Sequence, residues 1–305
     1  MNLTPLRLAQ RPTPLEDWSA LLPGLRIKRD DLTGSTLSGN KVRKLEFLMA
    51  HAQALGKSYV VTCGGLQSNH CRATAVAAAQ LGMGCKVLLR TATVPQAWDA
   101  ATGNYRLMRA VGADIEFVTP AEYQDRARLL AAAAGTRGYA IPEGGSNGLG
   151  AFGYITAAEE LATQWGDDPP TSVVCATGSG GTLAGLAIGL AKVAPSVPAW
   201  GVAVCDDAPT FQRIAARASA EACEWDASLP RLGEADFNVL EGYVGRGYAQ
   251  SSPEEQVTLM KAGRRGLVLD PVYTVKAFRA VLAQEPAFGS RPIFIHTGGL
   301  LGLMT

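Results

Sequence analysis

The sequence predicts an α/β protein with parallel sheets flanked by helices, and three observations lead there. Short apolar runs alternate with stretches of helical periodicity from residue 59 to the C-terminus. The turns that carry a run into the next helix are rich in glycine, which contributes 34 of the 305 residues. A chain of this length also has room for a large core and for two domains. Strand-helix alternation of this kind places parallel strands under helices on both faces.

Residues 1–37 form an arm containing Pro5, Pro12, Pro14 and Pro23, and the alternation at 25–28 predicts a short strand ending in the acidic turn Asp30-Asp31. A helix then opens at Lys41 and closes at Gly56. Strands are expected at 59–63, 85–89, 115–119 and 139–142, with helices at 68–81, 102–111 and 121–134 stopped by Gly82, Gly112 and Gly135. A glycine-rich joint at 143–148 precedes a second round: helix 152–165, strand 172–176, helix 182–193, strand 200–205 and helix 211–222. Residues 224–247 read as loop with short strands. Helix 254–263, strand 267–270, helix 274–283 and strand 292–296 complete the chain.

Composition excludes several classes of function. Lys and Arg number 28 against 27 Asp and Glu, so no overall field attracts nucleic acid or an anionic membrane. The longest uncharged apolar run, Leu183 to Ala191, is too short to span a bilayer, and no hydrophobic signal core precedes Leu15, so a cytoplasmic enzyme is expected. Six cysteines include no C-x-x-C pair, and three histidines lie far apart in sequence, which argues against a disulfide frame or a metal site.

The chemistry centres on Ser38-Gly39-Asn40-Lys41-Val42-Arg43-Lys44-Leu45-Glu46. Apolar residues follow Lys41 at Leu45, Leu48, Ala52 and Leu55, so its ammonium heads a buried stripe. Desolvation there favours the neutral amine, the form that attacks a carbonyl. The plainer alternative is a lysine that packs its stem and keeps its charge in water. Thr177-Gly178-Ser179-Gly180-Gly181-Thr182 joins a strand to a helix and suits a phosphate at the helix N-terminus. A dinucleotide fingerprint would need glycine where Leu183 stands, and the Walker pattern is missing; a turn without ligand is the other reading. Ser68, at a second glycine turn, is a natural N-cap whose neighbouring amides suit a carboxylate. Tyr273 and Thr297 fall at the ends of predicted strands, where ligands of α/β sheets collect.

Together, residues 38–47, Gly65-Leu66-Gln67-Ser68-Asn69-His70, 177–185, Asp270-Pro271-Val272-Tyr273 and His296-Thr297-Gly298-Gly299 resemble the D-cysteine desulfhydrase and 1-aminocyclopropane-1-carboxylate (ACC) deaminase family. The resemblance runs in register from about Arg26 to the C-terminus. It implies a two-domain, tryptophan-synthase-β-like fold of type II, with a large domain of residues 1–43 and 153–305 and a small domain of 44–152. It implies pyridoxal phosphate as cofactor, linked to Lys41, which also shuttles the Cα proton. Lys44, Gly178, Ser179, Gly180, Gly181 and Thr182 are then the phosphate site, and Asn69 binds the ring hydroxyl. Ser68 holds the substrate carboxylate, Tyr273 packs on the ring, and Tyr248 is a second active-site tyrosine. Thr274 and Thr297 stand where ACC deaminases carry glutamate and leucine, as they do in the desulfhydrases. The implied activity is conversion of D-cysteine to pyruvate, hydrogen sulfide and ammonia by a homodimer. L-Cysteate sulfo-lyase is the alternative within the family and ACC deaminase the weaker one; a nucleotide-binding dehydrogenase or a silent ligand binder is the alternative outside it.

Overall fold

The structure, a computed structural model, describes residues 4–95, 101–247 and 249–305. Two sheets organise it. Strands β1 (Leu15–Asp17), β2 (Arg26–Lys28), β7 (Ser172–Thr177), β8 (Ala199–Ala203), β9 (Asn238–Leu240) and β10 (Pro292–Ile295) form one, in the order β1-β2-β10-β7-β8-β9. Every neighbouring pair in it is parallel except β1 with β2. Strands β3 (Tyr59–Gly65), β4 (Gly84–Arg90), β5 (Asp114–Val118) and β6 (Gly138–Ala140) form the other, all parallel, in the order β5-β4-β3-β6.

Side-chain alternation along the strands separates the cores. Val173, Cys175, Ile293 and Ile295 face helices α5 (Gly148–Trp165), α6 (Gly181–Val193) and α7 (Ala208–Trp225). Val174, Ala176 and Phe294 face the opposite way, toward α9 (Thr274–Leu282), which follows α8 (Pro253–Gly263). In the smaller sheet Val60 packs with α1 (Lys41–Ala54) and α2 (Asn69–Gln80), while Val61 and Cys63 pack with α4 (Arg126–Ala134). Helix α3 (Gly103–Ala110) covers the α2 side through Tyr105 and Met108. Small residues let α5 and α6 touch: a Cβ on Gly185 would come within 2.3 Å of the Ala151 carbonyl oxygen.

Three local expectations change. Residues 267–270 make no ladder with any described strand, although Leu267 and Leu269 are buried. The Asp270 carboxylate instead accepts from the backbone N–H groups of Val272, Tyr273 and Thr274 and turns the chain into α9. Helix α5 begins at Gly148 rather than 152, capped by Asn147 Oδ1 accepting from Gly150 N at 2.8 Å; glycines of low helix propensity concealed its first turn. Leu55, placed on the buried stripe, is 52% exposed, whereas Leu45, Leu48 and Ala52 are fully buried.

A buried charged network anchors α1. Asp30 accepts from Arg43 Nε at 2.9 Å, Arg43 Nη2 at 2.8 Å, Tyr154 OH at 2.5 Å and Thr13 Oγ1 at 2.7 Å. Glu160 of α5 receives two further bonds from Arg43 and one from Lys28 of β2. Burial alone would raise the Asp30 pKa, but the Arg43 charge and the converging donors hold it below the usual carboxylate value.

Candidate active site

A cavity of about 410 Å³ opens where the carboxyl ends of β3, β4, β7, β8 and β10 come together. Lys41, the first residue of α1, lines it. The side chain keeps partial exposure toward the cavity, yet burial pulls its amine down to about 8 against the opposing pull of the Glu143 carboxylate. Two contacts fix the backbone here. Asn40 N donates to Thr297 O at 3.1 Å, and Asn40 Nδ2 donates to Thr182 Oγ1 at 2.9 Å, joining the start of α1 to the start of α6.

Gly178, Ser179, Gly180 and Thr182 form another wall. Gly180 adopts φ +74° as the N-cap of α6, which puts the N-terminal end of that helix at this wall. Lys44 lies directly behind. It is 1% exposed, its Nζ donates to the Gly144 carbonyl at 3.1 Å, and a Cβ on Gly181 would stand 2.8 Å from it. Burial, joined by the Lys41 charge, pushes the Lys44 amine well below its ordinary value. An ammonium this poorly compensated, next to a helix N-terminus with no room for a side chain at Gly181, fits a phosphate group. Lys44 and Gly181 do not line the open cavity themselves; they stand directly behind its wall of Gly178, Ser179, Gly180 and Thr182.

Ser68 and Asn69, at the start of α2, also line the cavity. Ser68 Oγ accepts from Cys71 N at 3.2 Å and caps α2, so the N-cap reading holds while the residue also lines the cavity. The Tyr273 ring packs against Gly178, where a Cβ would come within 2.9 Å of its Cε1, and Thr297 completes the wall. Thr274 does not line the cavity. It is fully buried and its hydroxyl lies 2.6 Å from Asp270 Oδ1, so it serves the cap of α9 and the expectation that it faces a cofactor is corrected. Tyr248 lies outside the described residues.

Other lining residues carried no sequence signal. His70 Nε2 lies 2.8 Å from Thr62 Oγ1, and burial together with the Lys41 and Lys44 charges drives the imidazole well below its ordinary pKa, so the ring is neutral. Arg126 pairs with Glu143 at 3.0 Å, and the Arg90 guanidinium stands 4.9 Å from the centre of the Tyr123 ring. The Arg126–Glu143 and Arg90–Tyr123 contacts join separate elements of the chain, which no local pattern announces.

Among the described residues no cluster of three or more His, Cys, Asp or Glu could hold a metal, and no helix is long and apolar enough to cross a membrane. Comparison with known proteins gives a consistent answer. The family model for pyridoxal-phosphate dependent enzymes matches residues 6–298. A D-cysteine desulfhydrase of Klebsiella pneumoniae is 39% identical over 96% of this chain and 93% of its own length. A mitochondrial bifunctional D-cysteine desulfhydrase/1-aminocyclopropane-1-carboxylate deaminase of Arabidopsis thaliana is 39% identical over 97% of this chain and 78% of its own. The crystal structure of an ACC deaminase homologue superposes with a TM-score of 0.88 at 32% identity, covering 99% of this chain and 94% of the other. With a desolvated lysine lining a cavity beside the glycine turn at the start of α6, and with relatives matched across nearly its whole length, the chain belongs to the pyridoxal-phosphate dependent enzymes, in the family of D-cysteine desulfhydrases and ACC deaminases.

Proposed function

We propose that the protein is a lyase that takes D-cysteine to pyruvate, hydrogen sulfide and ammonia. The observation that carries this reading is the desolvated Lys41 amine lining one cavity together with Ser68 and Asn69 at the start of α2, Gly178 to Gly180 and Thr182 at the start of α6, and Thr297. Bound in this cavity, pyridoxal phosphate supplies a sink for the electron pair left when Cα loses its proton.

Lys44 Nζ and the α6 N-terminus, residues Gly178 to Thr182, hold the phosphate. Asn69 serves the ring oxygen, and the Tyr273 ring flanks the site from the Gly178 side. Ser68 Oγ and the first amides of α2 receive the substrate carboxylate, which seats Cα toward Lys41. Lys41 Nζ, with a pKa of about 8, takes the Cα proton. The bond between Cβ and sulfur then breaks with its electron pair leaving on sulfur, and a proton completes hydrogen sulfide. One water replaces the nitrogen on the remaining three-carbon unit, giving pyruvate and ammonia.

Thr297 supports β-elimination over cyclopropane opening, since the residue lines the cavity where the resemblance gives ACC deaminases a leucine. Thr274, turned toward Asp270, adds nothing to that choice. We read residues 1–43 and 153–305 as the large domain and 44–152 as the small one; the strands of the six-stranded sheet come from the former and those of the four-stranded sheet from the latter. A steady-state comparison of D-cysteine, L-cysteine, L-cysteate and ACC tests the substrate. The highest kcat/KM is expected for D-cysteine, and a preference for ACC or L-cysteate would overturn the assignment.

A further inference from the structure

Asn69 is an asparagine, and an asparagine can present either a donor or an acceptor to a ligand. What decides its orientation lies one layer deeper. Arg72, one turn along α2, is 1% exposed and donates from Nε to Asn104 Oδ1 at 3.1 Å. A guanidinium only donates, so the Asn104 atom facing it must be the oxygen. The other end of Asn104, at the start of α3 and fully buried, is therefore its NH₂. That NH₂ donates to Gln67 O at 3.0 Å and to Asn69 Oδ1 at 2.9 Å. With its oxygen engaged in this way, Asn69 has its own NH₂ left for the cavity it lines.

Arg72 is held in its turn. Its Nη1 and Nη2 donate to the carbonyls of Thr36, at 2.6 Å, and Ser38, at 3.1 Å, in the loop that leads into Lys41. All three acceptors are neutral, and burial lowers the Arg72 pKa to about 10, so the guanidinium is still a cation at neutral pH. One cation thus fixes the loop before the reactive lysine and, through Asn104, the polarity of Asn69.

We propose that Asn104 and Arg72 are positioning residues that commit Asn69 to act as a hydrogen-bond donor toward the cofactor's ring oxygen. The inference rests on the cofactor placement given above. A donor at that point stabilises the ionised ring oxygen, and an acceptor would oppose it.

Asn104→Asp tests the relay in the holoenzyme. A carboxylate at 104 still accepts from Arg72, but it can only accept from Asn69, which must turn its NH₂ inward and its oxygen to the cavity. The midpoint for pH titration of the visible band of the lysine-linked cofactor should move up by about one unit, the size expected of one charge-assisted hydrogen bond. Cofactor retention on dialysis should weaken by about tenfold. A charge acting through space would shift the band equally in an Asn69→Ala background, whereas a relay loses its effect there. Asn104→Ser removes the relay without adding charge and should give a smaller shift of the same sign, which guards against misfolding of the aspartate variant. The proposal is overturned if the shift of Asn104→Asp persists undiminished in Asn69→Ala, or if both position-104 variants titrate like wild type while Asn69→Ala alone shifts. If Asn69→Ala leaves the titration unchanged, the cofactor placement itself fails, and the relay with it.

Discussion

Lys41 has to be buried enough to lose its proton and open enough to meet a substrate, and its place at the first turn of α1, on the cavity wall, answers both needs. Lys41→Ala should abolish the yellow colour of the bound cofactor and lower kcat by at least about 10³-fold, read by absorbance and by pyruvate release. The depressed pKa also has a stability consequence in the apoprotein. The unfolded chain binds a proton at residue 41 up to about 10.5, the folded chain only up to about 8. Stability from this group therefore rises with pH across that window, and the cost of burying the ammonium is fully present below it. Apo Lys41→Met should be more stable than apo wild type at pH 7, by on the order of 1 kcal/mol after allowing for solvent in the cavity, with the gap closing by pH 10.5 in denaturant melts. Thr297→Leu should cut kcat/KM for D-cysteine about tenfold by replacing a hydroxyl on the cavity wall with an alkyl group. That Lys41, Ser68, Gly178, Ser179, Gly180 and Thr182 line one cavity was foreshadowed by glycine turns and helix starts, which are local signals, and Asn69 by the family resemblance. Thr274 misled, since sequence adjacency to Tyr273 says nothing of the direction in which its hydroxyl points. Asn104 and His70 act through contacts with residues that only the fold brings near.

Helix α1 delivers Lys41 to the cavity and is bolted in place by Arg43, two residues on, through Asp30 and Glu160. Asp30→Asn removes the charge that matches the buried guanidinium. A loss of about 3 kcal/mol is expected, measured by chemical denaturation, because breaking one side of a buried pair strands the other. Since the Asp30 pKa is lowered in the folded state, its contribution is present above the unfolded value of 3.8 and fades as pH falls through the folded one. The two proteins should therefore converge in stability in strong acid. Periodicity found most helices because their apolar stripes and glycine stops, such as Gly82 at φ +66° and Gly112 at φ +77°, are written in consecutive residues. It failed at 267–270, where alternating burial imitates a strand but Asp270 uses the backbone N–H groups for a cap.

Across the molecule, the parallel strands of two sheets point their carboxyl ends at one cavity, so Lys41, the Ser68-Asn69 turn and the Gly178–Thr182 turn reach it from three separate stretches of chain. The strand-helix alternation made that class of architecture readable, and the ordered motifs made the family readable. The order β1-β2-β10-β7-β8-β9 was not, because pairing of β2 with the last strand, β10, brings Arg26–Lys28 beside Ile293–Ile295 across nearly the whole length of the chain. The central claim is that residue 41, and no other lysine, bears the cofactor. Borohydride reduction of the yellow holoenzyme, followed by proteolysis and mass spectrometry, tests it most directly. A phosphopyridoxyl group is expected on the peptide containing Lys41, at that residue; the same label on Lys44, on Lys276 or on no lysine would rule out Lys41 as the attachment point.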